Sequence, residues 1–143
     1  MSAAFRWLSV MAMAAVAGGC SRSSGPVCHP VRGQVLYQDR PLAEALVVFH
    51  PLSPPAADHP RPLAYTDAEG RFVLTTVQTR DGAPTGEYAI CVEQRQPRLV
   101  GEETVRDGRN LLPARYCQPA SSPLRYTVVA GQNEVPPLKI TRQ

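Results

Sequence analysis

The stretch Glu87-Tyr88-Ala89-Ile90-Cys91-Val92-Glu93-Gln94 decides the fold. In an extended chain Tyr88, Ile90 and Val92 fall on one side, and Glu87, Ala89, Cys91 and Glu93 on the other. That alternation marks a half-buried strand whose aromatic and aliphatic face points inward. Arg71-Phe72-Val73-Leu74-Thr75 repeats it, with Phe72 and Leu74 opposite Arg71, Val73 and Thr75. Val47-Val48-Phe49 has no polar face, which suits a central strand covered on both sides.

Outward from these segments, the same reading gives seven strands. They are about Val31–Tyr37, Ala45–His50, Leu63–Asp67, Gly70–Thr76, Glu87–Gln94, Leu124–Ala130 and Pro137–Thr141. Asp67-Ala68-Glu69-Gly70 supplies the turn between the third and fourth, because Asp bonds its own backbone and Gly tolerates the left-handed position. Fifteen prolines in 143 residues are about twice the usual share and exclude long helices. The expected fold class is therefore all-β, a seven-stranded antiparallel sandwich. Two segments read as loops. Residues 51–62 hold five prolines. Residues 95–123 have a polar part, Arg95 to Arg109, that offers an interaction surface, and an apolar part, Leu111 to Tyr116, that docks back on the sandwich.

Before the strands comes an address. Arg6 is the lone charge of a short leader, followed by the uncharged run Trp7 to Ala17. Eleven residues are too few to span a bilayer, which takes about 20, but they fit the apolar region of a signal peptide. Ala17-Gly18-Gly19-Cys20 then resembles the lipobox of bacterial lipoproteins, except that Ala17 stands where Leu is usual. The resemblance implies cleavage after residue 19, lipidation of Cys20 and a membrane partner through N-terminal acyl chains. Ser21, in place of Asp, implies outer-membrane delivery. The expected organisation is a signal peptide over 1–19, a lipidated tether over 20–30 and a sandwich domain over 31–143. The expected location is the cell envelope, facing the periplasm or the cell surface.

The motif order resembles a family. Val31-Arg32-Gly33-Gln34-Val35, Thr66-Asp67-Ala68-Glu69-Gly70-Arg71-Phe72, Asp81-Gly82-Ala83-Pro84-Thr85-Gly86-Glu87-Tyr88, Leu112-Pro113-Ala114-Arg115-Tyr116 and Asn133 follow one another as in small planctomycete-type envelope lipoproteins. Those proteins carry a carboxypeptidase-regulatory-like, transthyretin-like domain. The resemblance implies a prealbumin-like Greek-key sandwich and no known activity.

The chemistry-bearing residues are sparse. His29, His50 and His59 show no HxH, HExxH or CxxC spacing, so no metal site and no cofactor are expected. There is no GxSxG elbow and no catalytic residue is assigned. A net charge of +3 gives no footprint for nucleic acid. With Cys20 lipidated, Cys28, Cys91 and Cys117 remain, and three pairings are open: Cys91–Cys117 would tie down the long loop and Cys28–Cys117 the tether. Tyr37, Tyr65, Tyr116 and Tyr126 are the aromatic residues available to stack on a sugar, although nothing in the sequence groups them. The expected role is non-catalytic, structural or binding, with an envelope protein or glycan as partner. The alternatives are a hydrolase using a transthyretin-like groove, and an accessory subunit that docks by adding an edge strand.

Overall fold

The computed structural model describes residues 25–53 and 59–143. The expected signal peptide and Cys20 lie outside the described residues. The strands are β1 Cys28–His29, β2 Val31–Tyr37, β3 Arg40–Pro41, β4 Leu46–Pro51, β5 Leu63–Tyr65, β6 Arg71–Val73, β7 Ala83–Pro84, β8 Gly86–Glu93, β9 Arg98–Val100, β10 Glu103–Val105, β11 Arg125–Val128, β12 Asn133–Glu134 and β13 Leu138–Ile140. A 3₁₀ turn spans Ala114–Cys117. One antiparallel sheet has the order β11-β8-β4-β5. The other is built around β2, flanked by β6 and β3 on one side and by β12 and β13 on the other.

The two sheets enclose a single core. Val31 and Val35 of β2 meet Val47 and Phe49 of β4 and Ile90 and Val92 of β8, all with no exposed surface. Phe49 links the layers. Its ring lies 6.4 Å from that of Phe72 in the opposite sheet, edge-on, and 5.6 Å from that of Tyr88 in its own. Such offset aromatic contacts add to the burial of large apolar area.

The residues that carried the family resemblance turn out to be staples of the turns. Thr66 Oγ1 donates to the Leu42 carbonyl at 2.6 Å and accepts from the Ala45 N–H at 2.9 Å. Asp67 Oδ1 accepts from the N–H groups of Glu69 (3.0 Å) and Arg71 (2.8 Å), as an Asx-type turn requires. Asn133, only 2% exposed, donates to the carbonyls of Val129 and Gly131 at 2.8 and 3.0 Å and accepts from the Val129 N–H at 2.9 Å. It closes the link between β11 and β12.

Three expectations are corrected. First, the sheets are not wholly antiparallel: β12 and β13 run parallel to β2. These segments come from opposite ends of the chain, so no hairpin imposes antiparallel pairing on them. Second, β8 is not half-buried. Ala89 and Cys91, on its outer side, are 0% and 3% exposed, because the segment after β8 folds back and its 3₁₀ turn packs on the strand. Third, residues 95–123 are not an irregular loop. They contain the β9–β10 hairpin, turned by Gly101-Glu102 with Gly101 at φ +66°, and the 3₁₀ turn. Leu99-Val100 and Thr104-Val105 around a two-residue glycine turn are the hairpin signal the polar composition hid.

Register gives the sandwich two distinct ends. β4 and β8 pair with Leu46 opposite Glu93 and Pro51 opposite Tyr88. At the Pro51–Tyr88 end, Pro26 shares a groove with Pro51 and Pro84, so the N-terminal segment arrives there. The Leu46–Glu93 end carries Tyr65 and the base of the β9–β10 hairpin.

Candidate functional site

The site is built at the Leu46–Glu93 end. Leu46 lies opposite Tyr65 of β5 on one side and Glu93 of β8 on the other. Val47 is fully buried, so the alternation of β4 turns Leu46 and its two partners to the outer face. β5 lies at the end of the sheet order, and the Tyr65 residue remains 63% exposed. Glu44, Arg95 and Arg106 complete the rim of a shallow pocket of about 150 Å³.

Each rim residue is positioned by the backbone beneath it. Glu44 sits at φ +56°, a conformation rarely adopted outside glycine. The Glu44 N–H donates to the Thr66 carbonyl at 3.0 Å, and Gln94 Nε2 donates to the Ala43 carbonyl at 2.8 Å. Surrounding bonds thus hold the strained residue. Arg95 and Arg106 come from the two legs of the hairpin. Those legs are pinned by the Gln96 N–H to the Arg109 carbonyl at 3.0 Å and by the Leu111 N–H to the Gln94 carbonyl at 2.8 Å. Asn110 Oδ1 accepts from the Gln94 N–H at 2.9 Å.

The pocket's charges are paired with one another. Arg95 donates to Glu93 at 2.9 Å, and Arg106 pairs with Glu44 across the gap between hairpin and sandwich. Exposed pairs of this kind are worth at most about 1 kcal/mol each, so they exchange readily for ligand contacts. The result is an exposed phenol ring ringed by two planar guanidinium groups and two carboxylates of cancelling charge. A sugar ring stacks its C–H face on such an aromatic surface, while Arg and Glu reach its hydroxyls in pairs. At about 150 Å³ the pocket has room for no more than a single small ring.

Tyr65 is one of the aromatic candidates of the sequence, and Arg95 and Arg106 fall in the polar part of residues 95–123 read there as an interaction surface; Glu44, Leu46 and Glu93 carry no such signal. They come from separate segments, and only the register joins them. The other tyrosines go elsewhere. Tyr116 is 3% exposed, with Arg115 4.8 Å above its ring, and Tyr126 packs against the core.

Among the described residues Cys28, Cys91 and Cys117 stand as free thiols. Cys117 Sγ lies 3.7 Å from the Val92 carbonyl, beside the stretch of β8 that holds Cys91. Burial pushes the Cys91 thiol up to about 11, with Cys117 and Glu93 adding to it. Cys28 is placed apart from both, on β1 against β7, where burial and then the Asp81 charge raise its thiol. The histidines also serve separate surroundings. His29 Nδ1 accepts from the Gly131 N–H at 3.1 Å, burial and then Arg61 hold His50 below its ordinary range, and His59 lines the proline groove. Among the described residues no group of three or more His, Cys, Asp or Glu is placed to hold a metal ion.

No family model and no curated protein matches the chain. Two solved structures are similar to it. One is a DUF3823 family protein from Parabacteroides merdae, at 15% identity and a TM-score of 0.43 over 83% of this chain. The chain spans about half of that protein, 48% of its length. The other is a candidate carbohydrate-binding protein from Pseudomonas aeruginosa, also at 15% identity and TM-score 0.43, with 83% of this chain and 91% of that one covered.

Proposed function

We propose that this chain is a non-catalytic, lipid-anchored β-sandwich of the cell envelope that binds a neutral glycan at the Tyr65 pocket. One observation carries the reading: the N-terminal segment arrives at one end of β4 and β8, and the pocket lies at the other. β8 has eight residues and is about 25 Å long, so an anchor on Cys20 holds the pocket that far from the lipid. The cancelling Glu44, Glu93, Arg95 and Arg106 charges favour an uncharged ligand over an anionic one. In this reading the main strands form a Greek-key sandwich of the transthyretin-like kind, displayed from the outer membrane toward the periplasm or the cell surface.

The anchor is tested by growth with labelled palmitate. The wild-type chain takes up label, and Cys20→Ala loses it and leaves the membrane fraction. A labelled Cys20→Ala chain would sink the assignment.

The pocket is tested by titrating neutral oligosaccharides and following backbone amide shifts. Tyr65→Ala is expected to weaken binding at least tenfold, since stacking of a sugar depends on the face of this exposed ring. A second reading rests on the hairpin. Among the described residues β9 and β10 pair only with each other, and Leu99, Val100 and Val105 are 73%, 50% and 37% exposed. Such unpaired edges suit strand addition to a protein partner. Retention of sugar binding in Tyr65→Ala, with loss of an envelope crosslink in Leu99→Asp, would favour that reading.

A further inference from the structure

The N-terminal end of the sandwich has a surface of its own. Val27, Leu52, Val77 and Val129 are 76%, 50%, 53% and 54% exposed. They belong to four separate segments, yet all lie at this end. Val27 precedes β1, which pairs with β7. The Leu52 N–H donates to the Glu87 carbonyl at 2.9 Å, at the start of β8. Val129 follows Val128, which is opposite Gly86, also at the start of β8. Val77 sits in the turn that Asp81 closes, against Cys28. Between them, prolines 26, 51, 60, 62 and 84 line a groove of about 390 Å³. Arg61 stands in its wall and Arg80 in the neighbouring turn, both exposed.

The chain length before this surface decides what faces it. Pro26 lies six positions after Cys20, and a fully extended chain over that span reaches about 20 Å. That is less than the length of β8. An acyl chain on Cys20 therefore holds this end within about 20 Å of the lipid, so it is the end best placed to face it.

We propose that this end rests on the bilayer surface, with Val27, Leu52, Val77 and Val129 dipping into the headgroup boundary and Arg61 and Arg80 at phosphate level. The proposal rests on the lipidation of Cys20 and adds an orientation to it. Apolar side chains on the lipid side gain by leaving water, and cationic ones remain at the interface. The contact fixes the angle of the sandwich and holds the Tyr65 pocket outward.

The only tryptophan, Trp7, lies in the expected signal peptide, so single introduced tryptophans report on the mature chain. Full-length Leu52→Trp, Val129→Trp and Leu99→Trp variants are expressed, and the membrane-extracted proteins are reconstituted into phosphatidylethanolamine–phosphatidylglycerol vesicles carrying brominated acyl chains. Quenching of at least half the emission is expected for Leu52→Trp and Val129→Trp, with little for Leu99→Trp. A chain that carries palmitate and floats with the vesicles but is unquenched at 52 and 129, or is quenched equally at all three positions, overturns the orientation and leaves the anchor standing. A chain that carries no palmitate and stays behind overturns both. Apolar contact without lipid attachment is separated by Cys20→Ala: if its added vesicle binding matches wild type, the surface alone holds the protein and the tether argument fails.

Discussion

Phe49→Ala is expected to lower stability by about 3–5 kcal/mol, the range for removing a large buried aromatic side chain. Phe49 has no exposed surface, and its ring is the contact between Phe72 of one sheet and Tyr88 of the other. Its removal costs the transfer energy of the ring and leaves a void that two stiff sheets cannot close. For a domain of this size the loss corresponds to roughly 10–20 °C in the unfolding midpoint. Phe49→Leu keeps most of the volume and should cost well under half as much. Leu99→Ala, at a residue 73% exposed, should change the midpoint by no more than about 2 °C. Equal midpoints for Phe49→Ala and Leu99→Ala in a thermal scan would refute the two-layer core. The same strand also carries Leu46 to the pocket.

The core was legible in the sequence because its signal is local. Tyr88, Ile90 and Val92 alternate within five residues, and all three are buried in the core. Each of the seven expected segments contains a strand, with β2 at Val31–Tyr37, but the seven-strand count does not hold: β1, β3, β7, β9, β10 and β12 are further short strands. What was not legible depended on pairing. Ala89 and Cys91 read as an outer face until the returning segment covered them. Parallel pairing of β13 with β2 joins residues about 100 positions apart, and no turn announces it. The Tyr65 pocket is the extreme case: its six residues lie between positions 44 and 106, and none marks itself as a ligand contact alone. The surface at the other end is similar. Isolated exposed valines are ordinary; four around the arrival of a short tether are informative only once the turns are placed.

Asp81→Asn is expected to destabilise the sandwich by roughly 2–3 kcal/mol at neutral pH, the scale of charge-assisted hydrogen bonds left unmade. The Asp81 carboxylate accepts from the N–H groups of Thr76, Val77 and Gln78 at 2.7, 3.0 and 2.8 Å. This closes the turn that leads to Gly82, which packs tightly on β1: a Cβ at Gly82 would fall 1.7 Å from the His29 carbonyl oxygen, and its φ is +90°. The turn must therefore hold its shape for the chain to pass. Burial alone would raise the Asp81 carboxyl, but the N–H groups of Gln78, Thr76 and Val77 outweigh it and hold it below the usual carboxylate range. A folded pKa lower than the unfolded value, near 3.9, means the charged form stabilises the fold. That stabilisation is complete above the unfolded pKa and is lost as pH falls through the folded one. The Asn variant has no such proton to take up. Urea unfolding midpoints of the wild type and Asp81→Asn should therefore differ most at pH 6 and converge as pH falls below 3. A gap that stays constant down to pH 2 would show that the carboxylate charge is not what closes the turn. Val77 lies within this turn and Gly82 directly after it, so loosening the turn also frees one corner of the surface proposed to rest on the membrane: in the Asp81→Asn protein a tryptophan at Val129 should keep its bromolipid quenching while one at Val77 loses it.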